Sequence, residues 1–126
     1  MAITLYHDVP SSNSDRVKIA LAEKGLAWDS VTVSLARKDQ KRPEHLRRNP
    51  YGKIPVIDDD GKILFESCII NEYLDEKYPN PPLMPKDPFL RGRGRILSIT
   101  LSTIFTSPTG RCAGRCSKRN RSATSL

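Results

Sequence analysis

The scarce residues narrow the field first. The 126 residues include three cysteines, one tryptophan and only 6% aromatic side chains. Cys68, Cys112 and Cys116 are odd in number, so they make no even disulfide framework and suit a reducing, cytoplasmic compartment. Cys112 and Cys116 stand four apart without a His or further Cys to complete a zinc set, and no metal is expected. No apolar run approaches the ~20 residues that a membrane span needs. The N-terminus has no basic stretch followed by an apolar one, so neither a membrane partner nor a secretory leader is expected.

Carboxylates are missing from a whole region. The formal net charge of +7 invites a nucleic-acid reading. All 14 acidic residues, however, fall between Asp8 and Asp87, and residues 1–90 hold thirteen Lys and Arg against them, a sum of −1. The other eight cations are Arg91, Arg93, Arg95, Arg111, Arg115, Lys118, Arg119 and Arg121, in a segment without one acid. Two compositions join near residue 91, and the basic balance belongs to the second. Arg37 to Arg48 is also rich in cations, but it is broken by acids and lacks interleaved aromatics, so no specific nucleic acid is expected as partner.

The first composition carries folding signals. Residues 3–6 read as a strand, residues 7–13 as a Pro/Ser/Asn turn, and Ser14 to Lys24 as a helix. Val17, Ala20 and Leu21 form its apolar face, with Ile19 and Ala22 widening it and Gly25 placed just past its end. Ser12 and Asp15 have capping-box spacing. Residues 28–33 alternate as a second strand, and Pro43 opens a weak helix to Arg47. Residues 54–57 and 63–65 make a hairpin through Asp-Gly. Glu66-Ser67 then opens a helix in which Ile69 and Tyr73, and Ile70 and Leu74, stack one turn apart. Pro79, Pro81, Pro82, Pro85 and Pro88 mark a linker. The order predicts an α/β fold, a βαβ unit followed by ββα around a small mixed sheet. His7 and His45 are expected at the surface and Asp58-Asp59-Asp60 in a solvated turn. Cys68 lacks the partner of a dithiol site. A unit of about 80 residues buries only ~60% of its unfolded surface, so a partner surface is expected.

Several of these segments carry a resemblance. Ser11-Ser12-Asn13-Ser14-Asp15-Arg16-Val17-Lys18-Ile19-Ala20-Leu21, then Asn49-Pro50-Tyr51-Gly52-Lys53-Ile54-Pro55-Val56, then Phe65-Glu66-Ser67 through Glu72-Tyr73-Leu74, follow one another in order. Together they resemble the N-terminal half of a cytosolic glutathione S-transferase of the serine type, bacterial or zeta/tau-like. The resemblance implies a thioredoxin-like glutathione-binding domain over residues 1–80, a proline-rich linker over 81–90, and a dimeric, cytoplasmic detoxification enzyme. It implies glutathione as co-substrate and a small electrophilic substrate.

It also implies roles. Ser11 stands five residues before Arg16, where the serine-type enzymes carry the catalytic hydroxyl, with Ser12 the second choice. A serine at a helix N-terminus can donate to a thiolate, and the helix dipole there lowers a thiol's pKa. Read alone, Ser11, Ser12 and Ser14 merely cap the helix. Tyr6 is a runner-up hydroxyl, expected to be buried in its strand. Asn13 stands where one class carries a cysteine. Ile54-Pro55 resembles the family's cis-proline turn, its backbone pairing with glutathione's cysteinyl unit as an added strand would. Ser67 would hold the γ-glutamyl carboxylate at a helix N-terminus, Glu66 its ammonium, and Lys53 the glycyl carboxylate. A non-catalytic interaction module on the same fold is the alternative.

Beyond Leu97 the resemblance stops. Ser98 to Leu126 shows no helical period, and Pro108, Gly110 and Gly114 would break a helix. We expect residues 91–126 to begin a helix and continue as an irregular basic tail in place of the family's all-helical domain, and the transfer activity to be impaired by that domain's absence. A shifted reading frame after Leu97 explains such a join, since permitted codons can spell a helix-prone alternative; a natural or spliced tail competes with it. Either way the helix faces around Ala20, Leu21 and Leu74 are expected to be left exposed.

Overall fold

The computed structural model of the chain describes residues 2–106. Cys112, Cys116 and the rest of the basic tail lie outside the described residues. Four strands and four α-helices follow in the order β1 (Ile3–His7), α1 (Ser12–Glu23), β2 (Trp28–Thr32), α2 (Pro43–Arg48), β3 (Val56–Asp59), β4 (Lys62–Phe65), α3 (Ser67–Lys77) and α4 (Pro88–Thr106), with a 3-10 turn over Asp39–Lys41. The sheet order is β2-β1-β3-β4. β1 runs parallel to β2 and antiparallel to β3, and β3 is antiparallel to β4. A parallel pair needs a crossover, which α1 supplies. This is the thioredoxin-like arrangement that the motif order implies.

One core holds it together. Alternate residues of β1, Ile3 and Leu5, meet Val17, Ala20 and Leu21 of α1, Ile57 of β3, and Ile70 and Leu74 of α3. Each of the larger side chains contributes about 1.5–3 kcal/mol by leaving water. Ala20, Leu21 and Leu74 are therefore not left bare, contrary to expectation; they are 4%, 0% and 0% exposed. Ile19 and Ala22 do not widen the buried face of α1 but lie exposed. Ile69, expected to stack on Tyr73, is also exposed.

Local chemistry sets the boundaries. α1 starts earlier than its apolar period because Ser11, with extended backbone, accepts the Ser14 N–H at 3.2 Å. The Ser12–Asp15 capping box does not form: Ser12 is already helical, and Asp15 accepts from Lys18 at 3.2 Å. At the other end Gly25 takes φ +62°, and the N–H groups of Gly25 and Leu26 bond back to Ala22 and Leu21, a Schellman stop. Asp60 and Gly61, both at positive φ, make the two-residue hairpin turn.

Three buried polar groups depart from expectation. Asp59 does not sit in a solvated turn. It is the last β3 residue, points inward two positions after Ile57, and is fully buried. Its Oδ2 accepts from Tyr73 Oη at 2.8 Å, Lys77 Nζ at 2.5 Å and Tyr78 Oη at 3.4 Å. Burial pushes the Asp59 carboxyl up, but these donors outweigh it and hold it below its ordinary value. His7 and His45 are likewise not surface residues, at 7% and 2% exposure.

The linker is anchored rather than loose. Lys24, its side chain fully buried, donates to Asp75 at 2.7 Å and to the Tyr78 and Pro81 carbonyls at 2.7 and 2.8 Å. Asp75 also accepts the Leu83 and Met84 N–H groups. The linker ends at Asp87, whose side chain accepts the Leu90 N–H at 2.9 Å and caps α4 behind Pro88.

α4 runs on through Ser98 to Thr106, where the sequence shows no period. Ser and Thr lower helix propensity by only a few tenths of a kcal/mol each, and contacts to α1 and α3 hold this segment. Arg95 donates to Glu72 at 2.9 and 3.2 Å. Arg16 bonds the Ser98 carbonyl and the Ser102 hydroxyl, and Ser98 Oγ donates to Cys68 Sγ at 3.0 Å. Among the described residues, no helix is long and apolar enough to cross a membrane.

Candidate functional site

The loop between α2 and β3 is built to deliver Lys53, Ile54 and Pro55. Asn49, 1% exposed, donates from Nδ2 to the Lys53 carbonyl at 3.0 Å and accepts the Tyr51 N–H on Oδ1 at 3.1 Å. His45 Nε2 donates to the same Lys53 carbonyl at 2.9 Å. Gly52 closes the turn at φ +60°, its N–H on the Asn49 carbonyl at 2.9 Å. The Ile54-Pro55 bond that follows is cis, as the motif implies. The ladder to β1 begins only at Val56, opposite Tyr6, so the Ile54 backbone stands outside it.

The second wall is the start of α3. Glu66 turns the chain out of β4 at φ 72° and ψ 114°, a backbone state costing about 1–3 kcal/mol for a residue with a side chain. No side chain caps the helix behind it. The first-turn N–H groups have no intrahelical acceptor, so this end favours an anion. Ser67, buried, is the first helical residue.

These walls enclose a polar cleft of about 90 Å³ lined by Lys53, Ile54, Pro55, Glu66, Ser67, Asn13, Asn49 and Ser102. Five of the seven residues singled out from sequence thus converge. Ser11 and Ser12 are not among the lining residues: Ser11 is buried as the α1 cap, and Ser12 is exposed beside it. Asn13 enters from α1 in their stead, its Oδ1 buried without a partner among the described residues. Sequence reasoning assigned no site role to Asn49 or Ser102. The Asn-Pro-x-Gly spacing was a signal for the first; for Ser102, in a segment of foreign composition, there was none.

Capping does not disqualify Ser11 as a donor. Its Oγ accepts both the Ser14 N–H at 3.2 Å and the Ser14 hydroxyl at 3.0 Å. With both lone pairs engaged, the Ser11 proton is left for an outside acceptor. Tyr6, the runner-up hydroxyl, is half-buried in β1, and its ring carries the Arg48 guanidinium 4.4 Å from the centroid. Among the described residues, no three His, Cys, Asp or Glu side chains gather into a possible metal site.

Next to the α1 N-terminus, Asp8 accepts N–H groups from Leu35 and Val9 at 2.8 Å each, and the Leu35 bond chiefly holds its carboxyl below the ordinary value. His7 is buried with both ring nitrogens unpartnered among the described residues. Burial first, then nearby Lys18, lowers its pKa. The sign follows from linkage. The unfolded histidine takes a proton near pH 6.5 while the folded one does not, so stability falls as pH drops below about 6.5. Asp8, Asp59 and Asp75 have lowered values and act in a separate window, their contribution lost as pH falls below about 3.8. Urea midpoints of the protein should therefore fall between pH 7.5 and 5.5, and those of His7→Phe should fall less. Parallel curves would refute the assignment.

Comparison with known proteins agrees with this geometry. The family described as Glutathione S-transferase, N-terminal domain, matches residues 1–76. A stringent starvation protein A homologue of Pasteurella multocida is 42% identical over 100 residues, 79% of this chain and 45% of that protein. Maleylacetoacetate isomerase of Pseudomonas aeruginosa is 44% identical over 94 residues, 72% of this chain and 44% of its own length. Among solved structures, a glutathione transferase homologue from Sulfitobacter with bound glutathione superposes with a TM-score of 0.78 at 27% identity, covering 91% of this chain and 58% of that one. The chain thus spans about half the length of the relatives it matches. A thioredoxin-like sheet, a cis-proline loop facing a bare helix N-terminus and a family match over residues 1–76 lead to one conclusion: the chain belongs to the glutathione S-transferase family.

Proposed function

We propose that this domain binds glutathione across the cleft and holds its thiol as a thiolate at the N-terminus of α1, for attack on an electrophilic carbon. The observation that carries the reading is the convergence of Lys53, Ile54, Pro55, Glu66 and Ser67 on one cleft. Ser67 and the first N–H groups of α3 receive the γ-glutamyl carboxylate, and Glu66 its ammonium. The Ile54 backbone pairs with the cysteinyl unit, and Lys53 meets the glycyl carboxylate. Ser11 donates its remaining proton to the sulfur, with Ser12 beside it. Donation to the charged form and the helix dipole both lower the thiol's pKa. The electrophile is a small molecule, and a cytoplasmic, dimeric detoxification enzyme is the setting of this reading. No metal takes part in it.

A second reading has its own support. Ser102 of α4 stands in the cleft beside Glu66 and Ser67, and the space left is about 90 Å³. Ligand pockets usually measure about 300–1,000 Å³. The cleft admits an amino-acid head group, and the remainder of a tripeptide must lie over Lys53 and the α1 N-terminus. A non-catalytic interaction module has the same fold without using the cleft. Titration calorimetry separates the two. Under the enzyme reading glutathione gives heat, and Ser67→Ala weakens binding about tenfold or more through loss of a hydrogen bond to a charged group. Ser11→Ala then keeps binding but loses conjugation of a chloronitrobenzene. A folded circular-dichroism spectrum without any heat of binding would favour the module.

A further inference from the structure

The end of α4 is fastened to the domain without a buried side chain. From Pro88 to Thr103 no residue is buried, and Ile96, Leu97, Ile99 and Leu101 are all exposed. The first half of the helix is anchored by the Asp87 cap and by Arg95 on Glu72. Beyond Leu97 the hold is polar. Arg16 of α1 donates to the Ser98 carbonyl at 3.4 Å and to the Ser102 hydroxyl. Cys68 Sγ of α3 meets Ser98 Oγ at 3.0 Å and Ser102 Oγ at 3.2 Å.

This segment stands between two spaces. On one side Ser102 enters the cleft beside Glu66 and Ser67, the one lining residue that α4 supplies among those described. The other seven lie between Asn13 and Ser67, in a domain whose core cluster includes no residue of α4. With Ser102 in place the cleft measures about 90 Å³, whereas ligand pockets begin near about 300 Å³. It has room for an amino-acid head group and not for a whole tripeptide. On the other side α3 and α4 border an open groove of about 840 Å³, so the segment can move without crossing packed side chains.

We propose that residues 98–103 are an autoinhibitory strap: latched to Arg16 and Cys68 they hold the cleft narrow, and glutathione binds as they unwind from Leu97 onward. The proposal rests on the reading of this cleft as a glutathione site. Such a strap lowers affinity, because the observed dissociation constant is the intrinsic one divided by the open fraction. Helix and ligand then compete. Whatever strengthens the last turns of α4 weakens binding, and whatever breaks them tightens it. That inverse relation separates a strap from a wall that merely completes the site.

Thr100 tests the relation, being exposed in the middle of the strap and part of neither cavity. Titration calorimetry with glutathione on the full chain reads the affinities. Thr100→Ala raises helix propensity and should weaken binding about threefold. Thr100→Pro breaks the turn and should tighten binding about tenfold or more. Arg16→Met, which removes the guanidinium latch, should tighten it too. Hydrogen exchange reads the strap directly: the amides of residues 98–103 are expected to be protected in the free protein and to exchange faster when glutathione saturates it. Circular dichroism confirms that each variant is folded. Weaker binding by Thr100→Pro, equal affinities across the three variants, or protection unchanged by glutathione would overturn the strap and leave the glutathione site standing. Absence of heat from both the unaltered chain and Thr100→Pro would remove the glutathione site, and the strap with it.

Discussion

Replacing Lys24 by Met is expected to lower the free energy of unfolding by about 3–5 kcal/mol, the range for breaking a buried ion pair from one side. The Lys24 side chain is fully buried, and its three donors are all used, on Asp75, the Tyr78 carbonyl and the Pro81 carbonyl. Met keeps the length and apolar stem but leaves three acceptors facing a thioether. Asp75 retains the Leu83 and Met84 N–H groups, which do not neutralise it. For a domain with a typical stability of about 5–15 kcal/mol, such a loss brings unfolding close to ambient conditions. Urea denaturation at pH 7 measures it. Pairing Lys24→Met with Asp75→Leu should recover part of the loss, because the stranded charge is then gone. A single-variant loss below 1 kcal/mol would mean that water takes over the lysine's role.

The second large effect falls on Gly52. A Cβ there would lie 2.8 Å from Lys41 Nζ, 2.9 Å from Lys41 Cδ and 3.0 Å from the Gln40 carbonyl, on a backbone at φ +60°. The lysine can swing away, though it then gives up the Tyr51 carbonyl that it holds at 3.2 Å. The Gln40 carbonyl is backbone and has less freedom. Gly52→Ala should therefore cost about 2 kcal/mol or more, from left-handed strain with a steric contribution on top. Gly25 is the internal control: at φ +62° it has nothing within 4 Å of an added Cβ, so Gly25→Ala should cost about 1 kcal/mol, from backbone strain alone. The difference also has a functional signature. Gly52 sets the loop whose Lys53 carbonyl is gripped by Asn49 and His45, so its alanine variant should weaken glutathione binding while that of Gly25 should not. Equal stability losses and equal affinities would place the steric contribution at zero.

The parts of this fold legible in the sequence are those that neighbouring residues decide. Pro43, Gly25 and the Asp60-Gly61 pair act through backbone dihedrals, and each does in the structure what its chemistry requires. The ordered motif set located the cleft because those residues lie within two short stretches, 53–55 and 66–67. What stayed hidden was decided by distant partners. Lys24 reads as an ordinary last-turn lysine until Asp75 and the Tyr78 and Pro81 carbonyls close on it. Asp59 reads as one of three turn aspartates, although its position two residues after Ile57 already put it on the inner face. His45 reads as surface because its acceptor, the Lys53 carbonyl, is made available only by the turn at Gly52. The continuation of α4 past Leu97 was hidden for another reason: its contacts run from Ser98 and Ser102 to Cys68 and Arg16, and not through an apolar period.

That manner of attachment bears on how the chain can change. Among the described residues, every buried hydrophobic one lies between Ile3 and Leu74, and none lies in α4. Substitutions at the exposed positions of α4, away from Arg95, Ser98 and Ser102, therefore escape the packing constraint that governs the sheet and its two core helices. One part of the molecule must be inherited nearly intact, while the other is free to drift. Since that second part forms one wall of the 840 Å³ groove and contributes Ser102 to the cleft, new recognition specificities can be sampled there without risking the fold.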